Sequence, residues 1–360
     1  MPQNLSSLPE PARRIEKEAN QPFSEAWAKK YLRNLAEQDN RIEVLKVSEI
    51  ANEVAKTLTQ ALRTTSLQAW GRTEALLSQE VIRHQIDPEL IDPWEVAKDT
   101  HQIYQTALSA YAEQISPAKF STWIARDLGK IRQKYTADDP RVIGFISMQF
   151  HYNGQILLNL TPPVHQASLR DYFKVIDDHL YMPLQRAYQA AAEYAYDAPR
   201  LQAVQQLLPL CSEIATKIAE RVMQMYPNYQ CHTGRLSDTN INISSVRDIE
   251  MFQVYLWVCI LENNISAIQQ ELFPLCVMLY PRLKVRWELV RQLIYLLGTE
   301  IRSRLQPEQA AFFLAYYESL QAMFSPQVLP DSKSGVAEQR DKFRQAGEAG
   351  GVSGAGGEIL

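Results

Sequence analysis

Apolar residues recur along most of this chain at the three- and four-residue spacing of amphipathic helices, and capping residues separate the runs. Ile50, Val54, Leu58 and Leu62 stack on one helical face. Asp92, Pro93 and Glu95 read as N-cap, first helical residue and capping-box partner, ahead of a stripe of Val96, Ile103 and Ala107. Ser116-Pro117 repeats that start signal before Phe120, Ile124, Leu128, Ile131 and Tyr135. Ile176, Leu180, Leu184 and Tyr188 form a four-residue ladder that Pro183 bends or restarts. Leu207, Cys211, Ile214, Ile218, Val222 and Met225 share one stripe, closed by Pro227, and the segment from Ile265 to Leu297 is again helical, punctuated by Pro274 and Pro281.

One segment carries two patterns. In "RVIGFISMQFHYNGQILLNL", Asn153-Gly154 between apolar residues also satisfies a two-residue hairpin turn. A lone hairpin is marginally stable, and nothing else in the chain offers strands for it to join, so a helix starting after Asp139-Pro140 is expected. The fold class is therefore all-α.

Composition narrows the class. With 46% hydrophobic and 22% charged residues over 360 positions, the chain is ordinary globular material with room for two cores. A formal net charge of −4 lacks the basic excess that neutralises phosphates, which argues against nucleic acid. No run reaches the roughly 18 uncharged apolar residues of a membrane span, and the first twenty residues show no signal-peptide core. The expectation is a soluble, cytoplasmic protein. The organisation reads as a flexible N-terminus (1–22), a helical domain (23–165), a second helical domain (166–326) long enough to bury its own core, and a disordered tail (327–360). Six of the thirteen glycines lie from Gly347 onward, where almost nothing apolar is available for burial.

Catalytic signals are sparse. Phosphate-loop, dinucleotide, zinc-protease and nucleophile-elbow motifs do not occur, so no catalytic residue and no metal site is assigned and the chain reads as no enzyme. Cys211, Cys259 and Cys276 lie in apolar runs and read as buried small hydrophobes. Cys231-His232, in the polar loop after Pro227, offers either a thiol of lowered pKa or an ordinary surface loop. Asp177, Asp178 and His179 gather ligand-type side chains, but neighbours on a helix diverge by about 100°, so they read as a solvated polar face.

The densest apolar stretch, "SSVRDIEMFQVYLWVC", opens on an adjacent arginine and aspartate. Together with "MYPNYQCHTG" before it, the spacing Arg247, Asp248, Glu250 and Tyr255, the turn "NNISAI" and Tyr280, this region resembles the globin-fold domain of phycobiliproteins, the light-harvesting subunits of phycobilisomes. The resemblance covers about residues 207–297 firmly and nothing before about 168. It implies a globin-like C-terminal domain. In that family a cysteine two residues before the arginine forms a thioether to a linear tetrapyrrole, the arginine pairs with a propionate and the aspartate accepts pyrrole N–H bonds. Here Ser245 stands at the cysteine position, which implies that no covalent chromophore is carried.

Two readings of Arg247 and Asp248 stay open: they hold a noncovalent bilin or similar anion, or they cap a helix start or form a salt bridge. The resemblance also implies that the helices within "LRDYFKVIDDHLYMPLQRAYQAAAEYAY" form a hairpin packing on a partner subunit, either a phycobiliprotein or a second copy in a homodimer. An intrachain contact with the first domain is the alternative. The expected role is a pigment-free binding or regulatory protein of the photosynthetic apparatus, at the cytoplasmic face of the thylakoid. A sensor holding a tetrapyrrole or lipid noncovalently, and an unrelated helical scaffold, are the alternatives.

Overall fold

A computed structural model describes residues 23–32 and 41–331; the N-terminus 1–22 expected to be flexible and the part of the expected disordered tail beyond 331 fall outside the described residues. Every regular element among them is helical. A short helix at 23–28 (α1) is followed by α2 (Arg41–Arg83), α3 (Pro93–Ala112), α4 (Pro117–Thr136), α5 (Ile143–Leu160), α6 (Pro163–Tyr181) and α7 (Leu184–Ala192). The rest of the chain forms α8 (Pro199–Leu207), α9 (Cys211–Met225), α10 (Thr239–Glu262), α11 (Phe273–Arg282), α12 (Trp287–Arg304) and α13 (Pro307–Met323).

Local chemistry sets the boundaries. The Asp92 carboxylate accepts from Trp94 N and the Ser116 hydroxyl from Lys119 N, with proline at the next position in each case. Glu95 forms no capping box: its carboxylate turns outward to Lys98 and Lys134. Pro183 restarts the chain between α6 and α7, and the Leu207–Met225 stripe is broken by a 3₁₀ turn at Leu208–Leu210, because Pro209 has no N–H to donate. Two expected core positions face water instead, Ile50 at the start of its ladder and Met225 at the last turn of α9.

The ambiguous segment is α5. Asn153 and Gly154 lie buried in mid-helix, where the Thr65 hydroxyl donates to the Asn153 side-chain oxygen Oδ1 at 2.8 Å. A Cβ on Gly154 would stand 2.6 Å from the Tyr104 hydroxyl. The glycine therefore serves close helix packing rather than a turn.

One core runs through the chain. α2 packs on α3 and α5; α6 packs on α3, α4 and α5; and α10 lies at the centre of the C-terminal half against α7, α9 and α13. Every residue from Ile249 to Leu261 is buried, the burial expected of a helix that is apolar all round. Tyr172, Tyr181 and Tyr188 of the α6–α7 hairpin are buried within the chain, so α3, α4 and α5 cover the face that was open between a partner and an intrachain contact. Arg291 holds residues 325–331 in place, donating to the carbonyls of Phe324 and Leu329 and pairing with Asp331.

Candidate functional site

Ser245, Arg247 and Asp248 lie on the first half of α10, before the wholly buried stretch begins. The Ser245 hydroxyl donates to the Ile241 carbonyl one turn back at 2.9 Å. The Arg247 guanidinium lies 4.4 Å above the Tyr181 ring and 3.7 Å from Asp177, whose carboxylate is 2.8 Å from His151 Nδ1. Asp248 is bonded to the hydroxyls of Tyr181 and Tyr280. Burial pushes its carboxyl pKa up, and Arg247 opposes that shift. One of its oxygens, and Arg247 Nε, are enclosed without a hydrogen-bond partner.

A cavity of about 50 Å³ adjoins this cluster, lined by Ser245, Asp248, Cys231, Tyr280 and aliphatic side chains of α9 and α12. That space suits a few waters, whereas small-molecule pockets run to roughly 300–1,000 Å³. The residues present therefore do not fit a linear tetrapyrrole. The arginine is stacked on a tyrosine of its own chain, the serine hydroxyl is spent on the helix, and the space is too small.

Cys231 is half-buried in the wall of this cavity, and burial pushes its thiol pKa up, opposite to the direction a reactive thiolate needs. Among the described residues no group of histidine, cysteine and carboxylate side chains is arranged to hold a metal ion, and no helix is long and apolar enough to cross a membrane.

Asp177, Asp178 and His179 do not form a solvated face. Asp178 and His179 are buried, and only Asp177 reaches the Arg247 cluster. Asp178 and the buried Glu250 of α10 share Lys30 of the N-terminal segment at 3.2 and 2.7 Å. Lys174 adds a second ammonium 3.0 Å from Asp178, and the hydroxyls of Tyr31 and Ser212 donate to the two carboxylates. Burial alone would raise the Asp178 pKa, yet Lys174 and Lys30 hold it well below the usual carboxylate range. Sequence periodicity missed this network because its members are drawn from four separate segments. The one local signal is Glu250, a carboxylate inside an otherwise apolar run.

His179 is neutral in the fold. Burial lowers its pKa to about 4, while its ring stays bonded to the Val175 carbonyl at 2.9 Å. A histidine whose folded pKa lies below its unfolded value contributes stability above pH 6.5 and loses it as pH falls towards 4. The chain is expected to lose about 2 kcal/mol between pH 7 and pH 5 from this group, read as urea midpoints, and His179→Gln to lose correspondingly less. Asp178, with its pKa held low, adds to acid lability only below that interval.

Comparison with known proteins agrees with this architecture. Residues 173–323 match the family described as Phycobilisome protein. The chain thus carries a phycobilisome protein domain from the middle of α6 to the end of α13, preceded by helices that the family does not cover. No curated protein and no solved structure matches it.

Proposed function

We propose that this chain is a non-enzymatic, pigment-free phycobilisome-type globin that acts as a binding or regulatory protein of the photosynthetic light-harvesting apparatus, at the cytoplasmic face of the thylakoid. The observation that carries this reading is the closed state of the site around Ser245. The position that holds the bilin cysteine in the resembling family is a serine bonded to its own helix, and the adjoining cavity is about 50 Å³. A neutral hydroxyl with no activating base does not replace a thiolate in thioether formation. Arg247 and Asp248 then act as a half-buried internal pair, tying α10 to α6 and α11 through Asp177, Tyr181 and Tyr280.

The partner is a phycobiliprotein or a second copy of this chain. Because α3, α4 and α5 cover the α6–α7 hairpin, engagement uses a surface other than that hairpin face. Coexpression of the full chain with bilin biosynthesis and a lyase is expected to give no covalent pigment on a zinc-stained denaturing gel and no visible band after gel filtration. The same protein, immobilised, is expected to retain purified phycobiliproteins. A covalent signal mapping to Cys231 would make the chain a chromoprotein. A visible band that survives gel filtration but not denaturation would favour the sensor.

A further inference from the structure

A second concave surface lies where α2 meets the C-terminal end of α11, between the N-terminal helices and the phycobilisome domain. Arg72, Leu76, Tyr152, His232, Arg282 and Lys284 line an open groove of about 520 Å³, within the range of small-molecule sites.

Its charge is one-sided. Arg282 is fixed in orientation, its Nε donating to the Leu76 carbonyl at 3.1 Å and standing 3.5 Å from Glu80. Glu80 is buried behind the wall, where Arg83 and His84 also face it. Arg72 and Lys284 are exposed, and among the described residues neither has a carboxylate partner. In a chain of net charge −4, two unpaired cations beside an oriented guanidinium form a local positive field.

Lys284 also stands where lysine is costly. Its φ is 57°, in the left-handed region that follows many helix ends and is usually given to glycine or asparagine. The backbone is locked there: Lys284 N donates to Pro281 O, Val285 N donates to Tyr280 O, and the Tyr229 hydroxyl donates to the Lys284 carbonyl. A cation at a helix C-terminus gains a little from the macrodipole, but glycine would relieve the backbone entirely. Leu76 and Tyr152 add apolar surface to the lining of the groove.

We propose that this groove binds a small organic anion, a carboxylate or phosphate group carried on a ring or short apolar body. Arg72, Arg282 and Lys284 meet the charge, and Tyr152 and Leu76 meet the body. Guanidinium groups recognise both head groups by paired N–H bonds, and the proposal is independent of the pigment-free reading.

Calorimetric titration of the full chain at low salt, with phenyl phosphate, benzoate and inorganic phosphate as probes, tests this directly. One ring-bearing anion is expected to bind saturably, about tenfold more tightly than inorganic phosphate, and the better of the two identifies the head group. Lys284→Gly removes the cation while suiting the left-handed backbone, so its melting temperature is expected to match or exceed wild type while binding weakens by about tenfold. Arg72→Gln is expected to weaken binding similarly. Failure of both ring-bearing anions to bind the folded wild type at millimolar concentration, or unchanged binding in an Arg72→Gln/Lys284→Gly variant that melts like wild type, would overturn the proposal.

Discussion

Excised residues 166–326 are expected to lose the cooperative thermal transition of the full chain, even though the segment is long enough to bury a core of its own. The excision strips α3, α4 and α5 from the α6–α7 hairpin, taking Tyr104, Tyr111 and Phe120 away from Tyr172 and Phe173 and opening the α6 face that packs on those helices to water. Removing several fully buried side chains from their partners costs about 1.5–3 kcal/mol each, enough to consume the 5–15 kcal/mol by which a domain is ordinarily stable. It also removes Lys30 from Asp178 and Glu250, and Arg132 from Glu271. Circular dichroism of the fragment through a temperature ramp is the check. A sharp transition close to that of the full chain would mean that residues 166–326 hold a self-sufficient core and that the N-terminal helices are an attachment.

The helical class and most boundaries were legible because they are local. Asp92-Pro93, Ser116-Pro117 and Pro183 act within a few residues of themselves, and the structure uses each as the sequence implies. The α5 helix was legible only by elimination, since the reason for Asn153-Gly154 is Tyr104 and Thr65 on other helices. The phycobilisome domain could be read from the order of Arg247, Asp248, Glu250, Tyr255 and Tyr280, and residues 173–323 match that family.

The surroundings of the site could not be read in the same way. Tyr181 and Asp177 reach Arg247 from α6, with His151 of α5 behind Asp177, and side-chain spacing along α10 carries no information about them. The same limit turned Asp178 and His179 from an expected wet face into the interior. Adjacent polar residues on a helix look solvated until a distant lysine is brought to them.

Arg132 shows how such a residue can be half visible. The four-residue row Phe120, Ile124, Leu128 continues to position 132, which is an arginine, whereas the expected apolar stripe runs through Ile131. The structure keeps the row: Arg132 is 6% exposed, while Ile131 is only partly buried. Its guanidinium donates to the Leu180 carbonyl at the end of α6, to the Tyr255 hydroxyl at 2.6 Å and to Glu271 at 2.9 Å. Glu271 lies in the π-helical turn Ala267–Leu272 and also accepts from Arg186 at 2.5 Å.

Arg132→Ala is therefore expected to destabilise the chain by about 3–5 kcal/mol, because one Glu271 oxygen, a phenol and a helix-end carbonyl lose their buried donor, with Arg186 left as the only guanidinium on that carboxylate. Loss of surface charge alone would be worth less than about 1 kcal/mol, so the magnitude separates a buried anchor from a solvated one. Glu271→Leu combined with Arg132→Met removes both charges and fills their volume. That double variant is expected to recover much of the loss, with Arg186 keeping its two contacts to Glu262 at 2.5 and 2.6 Å. Chemical denaturation of the two variants beside wild type gives the comparison. If Arg132→Ala melts with wild type, then Arg132 does not pin α4 to the phycobilisome domain, and apolar packing together with the Lys30–Glu250 pair and the α2–α11 contact holds the two halves of the molecule together.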